Sequence, residues 1–194
     1  MLRKTEKLLA KLTPTTKELD LQNHRLTEVP EAVRHATGLR HLLLCINNIT
    51  ALPPWIGELT ELVDLNLFTC KLTALPRELS RCSKLKYLEV TNNPLGEVPS
   101  VLRKMGSIES LGLSGCDLKQ LPTWIDELTK LRDLELDNNE LTDLPVTLAN
   151  LECLKQFEAD RNEFPPPLAR LARLNSPKRL LEHLANLRDA RSDH

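Results

Sequence analysis

A step of 23 residues governs this chain. Leu39, Leu62, Leu85, Ile108, Leu131 and Leu154 stand 23 residues apart with no insertion between them. Leu52-Pro53, Leu75-Pro76, Val98-Pro99, Leu121-Pro122 and Leu144-Pro145 recur at the same step. Self-similarity at this period predicts a solenoid, because one coil cannot bury its own leucines and stacked coils share a core. The step also directs the search for function. A solenoid presents a long surface to something else, so the residues that depart from the repeat carry the information.

Read from its first leucine, one unit runs L-x-x-L-x-L-x-x-N-x-L-x-x-L-P-x-x-I-x-x-L-x-x. The second unit shows it as Leu39, Leu42, Leu44, Asn47, Ile49, Leu52, Pro53, Ile56 and Leu59. Alternation around Leu42 and Leu44 predicts a strand. An amide at Asn47 can bond the backbone of neighbouring turns, Pro53 ends regular structure, and Ile56 with Leu59 predicts one helical turn. The ninth position of successive units reads His24, Asn47, Cys70, Asn93, Cys116, Asn139 and Asn162. Cys70 and Cys116 are therefore read as small buried donors within a ladder of amides.

This motif resembles the leucine-rich repeat in its 23-residue LPxxIxxL form, typical of Ras-group repeat proteins and of the arrays in Roco-type GTPases. The resemblance covers residues 16–164, seven units. It implies a curved α/β solenoid with a parallel sheet on the concave face and short helical turns outside. Residues 1–15 are expected to form an N-terminal helical cap, with Leu8, Leu9 and Leu12 on one side. Residues 165–194 are expected to form a C-terminal helical cap and tail. There Ser176-Pro177 is a good helix start, and Leu180, Leu181, Leu184 and Leu187 make an apolar stripe. Capping of the last coil is the expected use of that stripe, and docking of a dimer mate is the alternative.

Composition narrows the partner. Net charge is -1 and aromatic content 3%, which gives no general attraction to nucleic acid and few platforms for stacking bases. No run of about 18 apolar residues could span a membrane. Five cysteines scattered through the repeats suit a reducing compartment, so the expected location is cytoplasmic; the expected state is a monomer. No phosphate-cradling glycine loop, GxSxG, HExxH or CxxC occurs. His41 and Cys45 share a strand but lie about 13 Å apart along it, too far for a base and its nucleophile. No enzyme activity and no cofactor are expected.

Residues flanking the buried strand leucines point outward. Toward the N-terminal repeats these are Leu43, Cys45, Ile46, Phe68 and Tyr87, an apolar group that the repeat itself does not require. Repeat five offers only Ser110, Gly112, Ser114 and Gly115, which predicts a shallow depression. Glu89, Asp133, Glu135, Asp137, Glu158 and Asp160 then make the remaining face acidic. Parallel pairing sets Glu135 beside Glu158 and Asp137 beside Asp160, and like charges so opposed destabilise a sheet. A protein partner with a basic segment accounts for them. Calcium is a lesser alternative, since the carboxylates converge but no loop wraps an ion. The expected function is a scaffold or adaptor that binds a protein on the concave face, in intracellular signalling. The alternative is the repeat domain of a larger enzyme, such as a Roco-type GTPase or a ubiquitin ligase.

Overall fold

The computed structural model describes residues 2–174 and 176–192, and for residues 2–4 and 191–192 the backbone alone. The outermost residues of the two expected caps, and Asn175 within the second, therefore lie outside the described residues. Among the described residues seven strands form one parallel sheet in chain order: β1 (Glu18–Asp20), β2 (His41–Leu43), β3 (Asp64–Asn66), β4 (Tyr87–Glu89), β5 (Ser110–Gly112), β6 (Asp133–Glu135) and β7 (Gln156–Glu158). Register follows the sequence step, so Leu42, Leu65, Leu88, Leu111, Leu134 and Phe157 pair in one buried row. Each strand is three residues long, yet the inter-coil bonding runs past both ends. Arg40 O accepts from Val63 N at 2.8 Å and Asp64 N at 3.0 Å, and Phe68 O accepts from Ile46 N at 2.8 Å.

Opposite the strands, each LP dipeptide launches a single turn of 310 helix, as in Pro54–Glu58 and Thr123–Glu127. Pro53 is extended and its carbonyl accepts from Ile56 N at 2.9 Å, which closes the turn and carries Ile56 into the core. The short turn keeps neighbouring coils close. A Cβ on Gly57 would collide with the Glu78 carbonyl of the next coil. The core is one continuous cluster from Leu19 to Leu184. Each leucine fully buried there contributes about 1.5–3 kcal/mol relative to exposure.

The ladder amides tie coil to coil. Asn47 Nδ2 donates to Leu21 O at 2.9 Å and Leu44 O at 2.7 Å, while its Oδ1 accepts from His24 N at 3.1 Å and Leu26 N at 2.9 Å. Cys70 and Cys116 take the same place as thiol donors, to Leu44 O at 3.4 Å and Val90 O at 3.3 Å. Burial pushes the Cys116 thiol up to about 11, so it stays protonated and able to donate. Among the described residues no coil precedes His24, the first rung. Its Nδ1 instead meets Thr5 Oγ1 at 2.8 Å, on the helix that covers that end.

That helix, α1 (Leu2–Leu9), stops before Leu12, but Leu8, Leu9 and Leu12 all pack on the core. At the other end stand α2 (Pro166–Ala172) and α3 (Pro177–Ser192). Helix α3 lies against the 310 turn Val146–Asn150, with Arg188 Nη1 donating to Asn150 Oδ1 at 2.7 Å. Leu180 and Leu184 are buried, Leu181 is partly buried on the core, and Leu187 stays exposed. The stripe is thus largely consumed in covering the last coil. No described helix is long and apolar enough to cross a membrane.

Candidate partner-binding face

The rows that flank the buried leucines run straight across the strands, because every coil has the same length. At the third place of each strand lie Leu43, Asn66, Glu89, Gly112, Glu135 and Glu158. Two residues on, past the strand end, lie Cys45, Phe68, Thr91, Ser114, Asp137 and Asp160. The next position in every coil takes a left-handed backbone, at Asn23, Ile46, Thr69, Asn92, Gly115, Asn138 and Arg161.

The expected apolar group divides. Ile46 and Phe68 are 42% and 36% exposed, and the Ile46 N–H bonds the Phe68 carbonyl, so they are neighbours, with half-buried Leu43 on the adjacent row. Cys45 does not join them. It is 8% exposed, and burial pushes its thiol up. The strand ends at Leu43 and the chain bends beneath the surface, so a short side chain there does not reach solvent, whereas the phenyl ring of Phe68 does. Tyr87 is exposed but stands at the opposite end of its strand. It shares a bowl of about 480 Å³ with Arg40, Val63, Lys84, Lys86 and Lys130.

The expected depression at repeat five is filled. A methyl on Gly112 would strike the Glu89 carboxylate, and one on Gly115 would strike Asn92 Oδ1. Glu89 is anchored over Gly112, with Oε1 accepting from Thr91 N at 2.8 Å. Its carboxylate thereby leans toward β6. Glu135 pairs in register with both Gly112 and Glu158. Burial, and then the charges of Glu89, Glu158, Asp137 and Asp133, hold the Glu135 carboxyl above its ordinary value.

The far acidic end is partly answered. Asp137 Oδ1 accepts from Asp160 N at 2.6 Å, and Arg173 Nε pairs with Asp160 Oδ1 at 3.2 Å. The backbone N–H of Arg161 and the guanidinium of Arg173 hold the Asp160 carboxyl low. Asp137, Glu158, Asp160 and Arg173 line a cleft of about 240 Å³. Among the described residues no group of three or more His, Cys, Asp or Glu side chains is arranged to hold a metal ion.

Two features were not drawn from the sequence. Just before the strands, Lys17, Arg40, Lys86, Arg132 and Lys155 recur at one repeat position and make a basic edge. Glu109 stands in that row and pairs with Lys86 at 2.7 Å and Arg132 at 3.5 Å. The second feature is the left-handed row itself, which the recurrence of Asn23, Asn92, Gly115 and Asn138 could have signalled.

No family model and no curated protein matches the chain. Solved structures do. A leucine-rich-repeat protein of Leptospira interrogans is 29% identical with a TM-score of 0.73, over 76% of this chain and 38% of that one. This chain has the leucine-rich-repeat fold. The ectodomain of the Arabidopsis thaliana membrane receptor kinase GASSHO1/SCHENGEN3, in complex with CASPARIAN STRIP INTEGRITY FACTOR 2, is 29% identical with a TM-score of 0.68 over 78% of this repeat chain. The plant peptide hormone receptor RGFR1, in complex with RGF2, is 31% identical with a TM-score of 0.59 over 71%. The repeat chain spans only 19% of the former and 23% of the latter.

Proposed function

We propose that this repeat protein is an interaction scaffold that binds a partner protein on the exposed face of its sheet. The observation that carries this reading is the pairing of Ile46 and Phe68, large apolar side chains left in water where the repeat has no use for them. The two plant receptors support it, one a leucine-rich-repeat ectodomain solved in complex with CASPARIAN STRIP INTEGRITY FACTOR 2 and the other a peptide hormone receptor solved in complex with RGF2. The LPxxIxxL coil supports the Ras-group form of the repeat and, with it, an adaptor role in signalling inside the cell. The acidic rows favour a partner that carries basic residues, rather than nucleic acid or an anionic membrane. No catalytic role is assigned. His41 opens β2 while Cys45 lies two residues past its end, and burial pushes the Cys45 thiol up, away from the reactive thiolate.

Proteins retained from the native cell extract by the immobilised chain are to be compared with those retained by Ile46→Ala plus Phe68→Ala. Loss of a specific partner, with an unchanged unfolding transition, is the expected result. An identical retained set overturns the reading.

A further inference from the structure

We propose that the occupant of this face is an extended peptide segment that crosses the strands. It seats an apolar side chain on Phe68 and Ile46 and a basic side chain, about four residues away, beside Glu135 and Asp137. The proposal rests on the sheet-face reading above and adds the chemistry and spacing of what is bound.

The spacing follows from the register. Phe68 and Asp137 occupy the same row, three coils apart, and strands lie about 4.8 Å apart, so the two sites are separated by about 14 Å. An extended chain advances about 3.4 Å per residue, which places four residues over that distance. The same step carries a further basic residue, one or two positions on, to Glu158.

Charge complementarity identifies the second site. Glu89 and Glu135 flank Gly112 from the strands on either side, and Glu89 is already folded over that glycine by its bond to Thr91 N. Glu135 therefore faces other carboxylates without a cation bonded to it among the described residues. A lysine or arginine from outside removes that repulsion. The contrast with the basic edge is direct. There Glu109 already has Lys86 and Arg132, so the fold supplies the cations itself.

The ground between the two sites suits a main chain. Asn66 is a partly exposed polar side chain, Thr91 is partly exposed but keeps its hydroxyl oxygen buried, and Ser114 is small and buried. Asn66 Oδ1 accepts from Phe68 N at 3.0 Å, which fixes the amide with its nitrogen able to donate to a peptide carbonyl.

The test is to pan a random-peptide phage library against the full chain, then measure dye-labelled synthetic copies of the selected sequences by fluorescence anisotropy. The expected sequences carry a large apolar residue and a Lys or Arg four positions apart. Phe68→Ala, and separately Glu135→Gln plus Asp137→Asn, should each weaken them about ten-fold or more, and the second effect should shrink with added salt. Peptides weakened by Phe68→Ala but indifferent to the acidic variants overturn this proposal and leave the sheet-face reading standing. Peptides indifferent to both, or a library that yields none, overturn this proposal, and the comparison of retained proteins then decides the sheet-face reading. A self-associated chain that these substitutions return to monomer overturns the peptide in favour of a second copy.

Discussion

Asn47 and Ile46 are neighbours in the chain and belong to two rows that recur through the coils. From Asn47 to Asn139 the row of Asn47 is buried, and its residues suit their place: amides or thiols that answer backbone groups of the coil before. The row of Ile46 is left-handed, and there the fit breaks. Asn23, Asn92, Gly115 and Asn138 are residue types that adopt this backbone readily, whereas Ile46 and Thr69 are β-branched and do so at a cost. Both departures fall beside Phe68. Where a sequence otherwise agrees with its fold at every level, a local contradiction of this kind marks a place selected for something besides stability.

The sharpest way to establish that the first row is scaffold is to empty one rung. Asn93→Ala removes the partner of Leu72 N and of the Leu67 and Val90 carbonyls, all in the interior. The expected loss is about 3 kcal/mol in urea unfolding. Cys116→Ala, which removes a single weak donor to Val90 O, should cost about 1 kcal/mol. Equal losses at the two sites would mean that the ladder bonds are not what holds the coils together.

The second row is tested by exchanging its residues. Ile46→Asn should raise stability by about 1 kcal/mol, because an asparagine relieves the left-handed strain at φ 57°. Asn138→Ile, at φ 54°, should lower it by a similar amount. If Ile46→Asn destabilises instead, the side chain is serving the fold through packing, and its value as a mark of function falls.

The seven coils, their register and the ladder were legible because an uninterrupted step of 23 residues leaves only one way to stack them. The face was legible only within the three residues of each strand, where side chains alternate. Beyond the strand end alternation lapses, so Cys45 is buried where Phe68, at the same place in the next coil, is exposed. Tyr87 and Phe68 lie on neighbouring coils, but four places along the strand direction separate them. Gly112 shows a different limit. A missing side chain reads as a depression in sequence, but the neighbouring Glu89 occupies the space. The net charge of -1 likewise conceals a basic edge and an acidic face on the same strands.

Glu109 and Glu135 turn that charge separation into a measurement. Hydrogen bonding to Lys86 holds the Glu109 carboxyl below its ordinary value, while burial and neighbouring carboxylates hold Glu135 above. The folded chain therefore binds a proton at Glu135 more tightly than the unfolded chain does. Below the unfolded value, around pH 4, both states are protonated and Glu135 costs nothing. As pH rises through the folded value the repulsion develops, and it is complete at neutrality. Glu135→Gln should thus add about 0.5 kcal/mol at neutral pH, a small figure because the site is partly solvated, and nothing in acid. Glu109→Gln has the opposite sign: the stability it removes is present at neutral pH and fades as pH falls through the lowered folded value. Urea midpoints of the two variants across that range should diverge from the parent in opposite directions. Parallel curves would mean that the face and the edge share one electrostatic character, and the acidic face would lose its claim on a basic partner.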